Sequence, residues 1–266
     1  MTREGAPRGF RRAGARARAD KSDHPTGDPR DDRSFVAFVQ QLGYRLTPAQ
    51  RTIARVAIDR IDPIDLPTKE ERDLARLIFG PIDRVPPAAR GIVALVLGAR
   101  SGKTLFFEAL AAVWSALTAD LSTLAPGEIA SALLVDPDPR LARLALRYAS
   151  GTIKRIPALS RCLRGETQDS ITLQRPDGST VAIECLPKSE AGRSLRGRSF
   201  ALVSFGESAF FLGSDAAISD ADLLSSVAPR VLAGGLVILS STPWSQAGLL
   251  FELFQKNWAN PRTALV

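Results

Sequence analysis

The sequence predicts an α/β fold, a mainly parallel sheet flanked by helices with a β-hairpin insertion. Short apolar, β-branched runs alternate with helical patterns from residue 92 onward, the signature of strand–helix–strand units. The second sign is Ile92-Val93-Ala94-Leu95-Val96, which passes through the small-residue turn Leu97-Gly98-Ala99-Arg100-Ser101 into Gly102-Lys103-Thr104 and the helix start Leu105-Phe106-Phe107. A strand, a tight turn, Gly-Lys-Thr and a helix together form the pattern of a phosphate-binding loop.

Taken in order, residues 1–33 are rich in Arg, Asp, Gly and Pro with almost no apolar residue, and read as a disordered Arg-rich tail. Within residues 1–18, Arg3, Arg8, Arg11, Arg12, Arg16 and Arg18 face only Glu4; such a tail suits nucleic acid or an acidic partner, and equally a solvated leader. Ordered structure is expected from Ser34 to Val39 as an amphipathic helix. A second helix runs from Pro48 to about Asp59, with Thr47 as N-cap and Pro48 at its first position. Pro63, Pro67, Pro81, Pro86 and Pro87 break up the segment before the first strong strand. Strand 92–97 then leads to helix 104–119, and strand 131–135 leads to a helix over 140–150. Runs 170–175 and 179–185 flank Pro176-Asp177-Gly178 as a β-hairpin. Strand 200–205, helix 220–230, strand 235–240 and helix 246–257 complete one domain over 34–266.

Composition narrows the chemistry. Of 266 residues 45% are apolar and 24% charged, with a net charge of +7. No apolar run approaches the roughly 20 residues of a bilayer span, and with no apolar h-region near residue 1 no secretory signal is expected. His24 is the sole histidine, in the tail, so Ser-His-Asp and Cys-His chemistry and most zinc sites drop out. Cys162 and Cys185 lack metal-ligand spacing and read as packing residues.

The loop assigns Gly98, Ala99, Arg100, Ser101, Gly102, Lys103 and Thr104 to nucleotide binding. Lys103 reaches the outer phosphates, and the Thr104 hydroxyl binds Mg²⁺. Position 97 holds Leu where the common loop has its first glycine. Hydrolysis further needs an acid at the end of another strand, and Phe200-Ala201-Leu202-Val203-Ser204-Phe205-Gly206-Glu207 offers Glu207 to polarise water. The preceding position, where a metal-associated Asp is expected, is Gly206. Asp136 ends a second apolar strand, but Asp136-Pro137-Asp138-Pro139 reads more simply as a turn with an N-cap. Ser240, Ser241 and Thr242 end the strand 235–240 at the ligand edge, where they can sense the γ-phosphate. Gln50 is a candidate adenine contact, and Arg100 a candidate for phosphate charge.

In this order the pieces resemble the ATPase domain of the large terminase subunit of tailed bacteriophages and gene-transfer particles. The resemblance is carried by Gln50, the loop 98–104, Ser194 to Phe200, Glu207 to Phe211, Leu239 to Pro243, and Gly248 to Leu253. An Arg-bearing loop without the first glycine is typical of that family. The resemblance implies a P-loop NTPase of the ASCE/RecA-like kind. It implies a motor that hydrolyses ATP with Mg²⁺ to thread double-stranded DNA into a procapsid. Lys103, Arg100 and Glu207 would be its catalytic residues, and Ser240 to Thr242 its coupling element. Implied partners are DNA, a portal protein, a small terminase subunit and further copies in a ring, in the cytoplasm of a bacterial host, transiently docked on the procapsid and with no membrane. The family's nuclease domain is not expected within this chain. Alternatives are a degenerate nucleotide-binding assembly module, for which Gly206 speaks, and a helicase-like DNA translocase.

Overall fold

Local sequence signals set the first helices. The structure, a computed structural model, describes residues 33–195, 197–211 and 219–266; the expected tail with His24, and Arg196, lie outside them. Helix α1 (Phe35–Gln41) starts where the Ser34 hydroxyl accepts the Ala37 N–H. Helix α2 (Pro48–Ala57) starts at a reciprocal capping box between Thr47 and Gln50. A third helix, α3 (Lys69–Phe79), falls in the stretch that the prolines are expected to break. Thr68 caps it by accepting the Glu71 N–H. Glu71 is fully buried and takes Arg51 Nε at 2.5 Å, with Arg55 on its other oxygen.

That pairing locks α3 to α2. Glu71→Gln would leave two arginines without their shared counter-charge, at a cost of about 2–3 kcal/mol once the partial exposure of Arg51 is allowed for. Urea denaturation reads this directly; a loss below about 0.5 kcal/mol would mean that the ion pair contributes nothing to the docking.

Beyond α3 the chain alternates. Strand β1 (Ile92–Val96) leads through the loop into a π-helical segment, Lys103–Leu110, which runs on into α4 (Ala111–Thr118). Strand β2 (Ala130–Asp136) is followed by α5 (Pro139–Arg155), α6 (Pro157–Ser160) and strand β3 (Leu163–Glu166). Strands β4 (Ser170–Gln174) and β5 (Thr180–Pro187) precede α7 (Lys188–Ser194). Strand β6 (Ser199–Phe205), α8 (Asp220–Val227), β7 (Val231–Ser241) and α9 (Leu249–Asn257) come next. Strand β3, α6 and α7 add to the elements expected from the sequence, and β7 is longer than its apolar run.

The strands form one seven-stranded sheet in the order β1-β7-β6-β2-β5-β4-β3. The first five are parallel; β4 is antiparallel to β5, and β3 in turn antiparallel to β4. The expected hairpin is β4–β5, turning at Gly178 with φ +87°. It is not an excursion from the sheet: β5 pairs in parallel with β2, from Ala130↔Val181 to Asp136↔Pro187. At the other side Leu265 bridges Val93 in parallel along the free edge of β1.

Both faces of the parallel strands are covered, so neighbouring residues enter different cores. Ala132, Leu134, Leu202 and Ile238 pack with the α4 and α5 side, whereas Leu133, Val135, Val203 and Leu239 pack with Leu223 of α8 and Leu250 of α9. Cys185 is buried, and burial pushes its thiol up to about 12. Among the described residues no helix is long and apolar enough to cross a membrane. The consequence for function is geometric. The carboxyl ends of β1, β7, β6 and β2 share one edge, where ligands of open α/β sheets bind.

Candidate nucleotide site

Val96 hands the chain to the loop at that edge. Leu97 still belongs to the ladder, since its N–H donates to Ser241 O at 2.9 Å and its side chain packs on the core. A glycine there would give up that packing. Arg100 turns the loop with φ +59°, exposed and without a partner among the described residues. Gly102 comes two residues later with φ +84°, and a Cβ on it would lie 2.7 Å from the Phe106 ring and 2.9 Å from Gln50 Nε2. Only glycine meets both demands. Lys103, Thr104 and Leu105 head the next helix, so their N–H groups have no acceptor within it. The buried Ser101 hydroxyl has no partner among the described residues.

Gln50 uses its amide on protein groups. Its Oε1 accepts the Thr47 N–H at 2.9 Å, and its Nε2 donates to Ser101 O at 2.7 Å. It ties α2 to the loop.

From β6, Gly206 and Glu207 enter the same edge. Glu207 sits in the left-handed region at φ +44°, a strained conformation for a non-glycine residue, worth of order 1–3 kcal/mol. Its Oε1 lies 3.0 Å from Lys103 Nζ. Its Oε2 accepts from Ser241 Oγ at 3.2 Å and from the Thr242 N–H and hydroxyl at 3.3 Å each. Three segments far apart in sequence therefore meet on one carboxylate. Ser240 turns the other way, donating to Glu108 Oε1 at 2.8 Å.

Glu108 is a site residue that the sequence motifs do not single out. It is 2% exposed within an otherwise apolar helical stretch, and that lone carboxylate is the signal the sequence offers. Burial pushes it up to about 7; the Ser240 hydrogen bond works against this, while the nearby Glu207 adds to it.

The N-cap expected within Asp136-Pro137-Asp138-Pro139 is present, but Asp136 itself takes no part in it. Asp138, not Asp136, caps α5, accepting the Arg140 N–H at 2.7 Å. Asp136 is the last residue of β2, and it is 4% exposed. Burial holds its carboxyl well above the ordinary carboxylate range, and the charges of Glu108, Glu207 and Asp138 add to the effect. Its neighbour across the sheet is Gly206.

Among the described residues no group of three or more His, Cys, Asp and Glu is arranged to hold a metal by itself. Mg²⁺ does not require one, because it is usually held by one or two carboxylates together with substrate phosphates. The half-buried Thr104 hydroxyl and the buried Asp136 carboxylate both lack partners among the described residues. They are hard oxygen donors of the type that suits it.

No protein-family model matches the sequence, and no curated protein matches it. Solved structures do match in fold. The large terminase of bacteriophage HK97 superposes with a TM-score of 0.50 at 18% identity, over 83% of this chain and 44% of that one. This chain therefore spans less than half of that enzyme. A variant of the ATPase domain of the Thermus phage P74-26 large terminase gives 0.48 at 16%, over 82% and 72%. Yeast Dbp5 bound to RNA and ADP BeF3 gives 0.39 at 16%, over 86% and 51%. At such identities the likeness is one of fold alone: a mainly parallel sheet flanked by helices.

Proposed function

We propose that this chain is the ATP-binding and ATP-hydrolysing motor domain of a DNA-packaging terminase large subunit. Hydrolysis would be coupled to translocation of double-stranded DNA into a procapsid. The observation that supports the reading best is the convergence of Lys103, Ser241 and Thr242 on Glu207, at the head of a helix begun by Gly102.

In this reading the loop from Gly98 to Thr104 wraps the phosphates with backbone N–H groups. Lys103 exchanges Glu207 for phosphate oxygens, and Glu207, released, takes a proton from the attacking water. Ser241 and Thr242 lose or regain their hold on Glu207 as phosphate charge comes and goes. They thereby pass the nucleotide state to β7, whose Ser240 reports to Glu108. Thr104 is the hydroxyl for Mg²⁺, which when bound neutralises charge on the outer phosphates. Arg100, exposed on the loop, would meet phosphate charge, and Gln50 holds the loop through Ser101. DNA, a portal protein, a small subunit, a ring of copies and the host cytoplasm belong to the same proposal.

A second reading, a nucleotide-binding assembly module without turnover, is favoured by one observation: Gly206 brings no carboxylate of its own. ATP turnover by the purified chain, with and without double-stranded DNA, separates the two. The motor reading expects DNA-stimulated turnover that Lys103→Ala lowers by about 10²–10³-fold. ATP binding without any turnover would establish the module instead, and no binding at all would remove both.

A further inference from the structure

Strands β2 and β6 are parallel neighbours in the register Val135↔Phe205, and the Gly206 N–H donates to Val135 O at 2.8 Å. Asp136 and Gly206 therefore stand side by side where both strands reach the nucleotide edge. The Gly206 backbone lies outside the left-handed region, so its glycine is not there for conformation. It is there for room. A Cβ on Gly206 would lie 2.3 Å from Asp136 Oδ1, 2.9 Å from Cγ and 3.1 Å from Oδ2. The Asp136 carboxylate occupies the space in which a side chain at 206 would begin. It is 4% exposed and has no hydrogen-bond or ion-pair partner among the described residues. Buried carboxylates are paired, protonated or in contact with a cation.

We propose that Asp136 supplies, from the neighbouring strand, the carboxylate that faces the Mg²⁺ of the bound nucleotide, which the chain lacks at position 206. The inference rests on the nucleotide-site reading. It makes the glycine and the buried aspartate one arrangement: the acid has moved one strand across, and Gly206 has cleared its place. A purely structural Asp136 would leave the metal dependence of nucleotide binding untouched.

The experiment measures binding, not turnover. A fluorescent N-methylanthraniloyl-ADP is titrated into the full chain in Mg²⁺ and in EDTA, and Mn²⁺ with ADP is monitored by electron paramagnetic resonance. Mg²⁺ is expected to tighten binding to the wild type. Asp136→Asn is expected to cut that gain by about 10- to 100-fold while affinity in EDTA stays the same. The double variant Asp136→Ala with Gly206→Asp is expected to restore the gain and the Mn²⁺ signal. Lys103→Ala should weaken binding in both media. If Asp136→Asn keeps the full Mg²⁺ gain, or if the wild type binds nucleotide with no Mg²⁺ effect, the inference is overturned and the phosphate loop stands. Should Asp136→Asn fail to fold, the double variant decides: an Mg²⁺ gain supports the inference and its absence overturns it. A wild type that binds no nucleotide overturns the site reading and this inference together.

Discussion

Glu207→Gln is expected to leave a protein that binds ATP but turns it over about 10²–10⁴-fold more slowly, the usual worth of a positioned general base. The contacts of the carboxylate explain both halves of that result. It receives Lys103 on one oxygen and Ser241 and Thr242 on the other. A glutamine amide can still accept the Thr242 N–H and one hydroxyl, so the local fold is retained. It cannot take a proton from water. It also carries no charge to hold Lys103, which is then free for phosphate from the start. Nucleotide affinity should therefore hold or improve while kcat collapses. The same loss expressed as a barrier is about 2.7–5.4 kcal/mol. Single-turnover kinetics beside equilibrium binding reads both. Turnover within about tenfold of wild type would sink the role given to Glu207, and a parallel fall in affinity would make it a binding residue instead.

Much of this site is legible along the chain because its signals are local. Strand β1, the small-residue turn and Gly102-Lys103-Thr104 are contiguous, and the apolar run of β6 ends visibly in Glu207. The cap at Thr47 is a four-residue signal, Thr47 to Gln50. The features that stay hidden depend on partners from elsewhere. Helix α3 buries Glu71, a residue no periodicity rule places inside, because Arg51 and Arg55 arrive from α2. Its cap at Thr68 is visible but flanked by Pro67 and Pro81. Strand β3 exists as the edge partner of β4, and Leu163-Arg164-Gly165-Glu166 shows no alternation of its own. Asp136 illustrates the limit best. The turn chemistry of Asp136-Pro137-Asp138-Pro139 is real, and Asp138 performs it. Which acid is capped in solvent and which is buried depends on the pairing of β2 with β6, formed between strands distant in sequence.

Gly206→Asp, which would write the expected acidic pair into β6, is expected to damage the protein rather than activate it. The new Cβ alone would meet Asp136 Oδ1 at 2.3 Å, closer than any real contact, and the new carboxylate would join one already buried without a partner among the described residues. Steric overpacking costs about 1–3 kcal/mol, and an uncompensated buried charge brings the total to about 3–5 kcal/mol. Gly206→Ala separates the two parts, since it carries only the first. Removing the obstacle should remove the cost. In an Asp136→Ala background Gly206→Ala is expected to cost under about 1 kcal/mol, a coupling of about 1–2 kcal/mol between adjacent sites. Urea denaturation of the four proteins completes the cycle. Additive effects would mean that the two positions do not compete for one space, and the strand-to-strand exchange of the carboxylate would lose its structural basis. A measured coupling would mean that position 206 can hold an acid only when position 136 does not. Gly206 would then be a glycine because Asp136 is an aspartate, and not because hydrolysis has been abandoned.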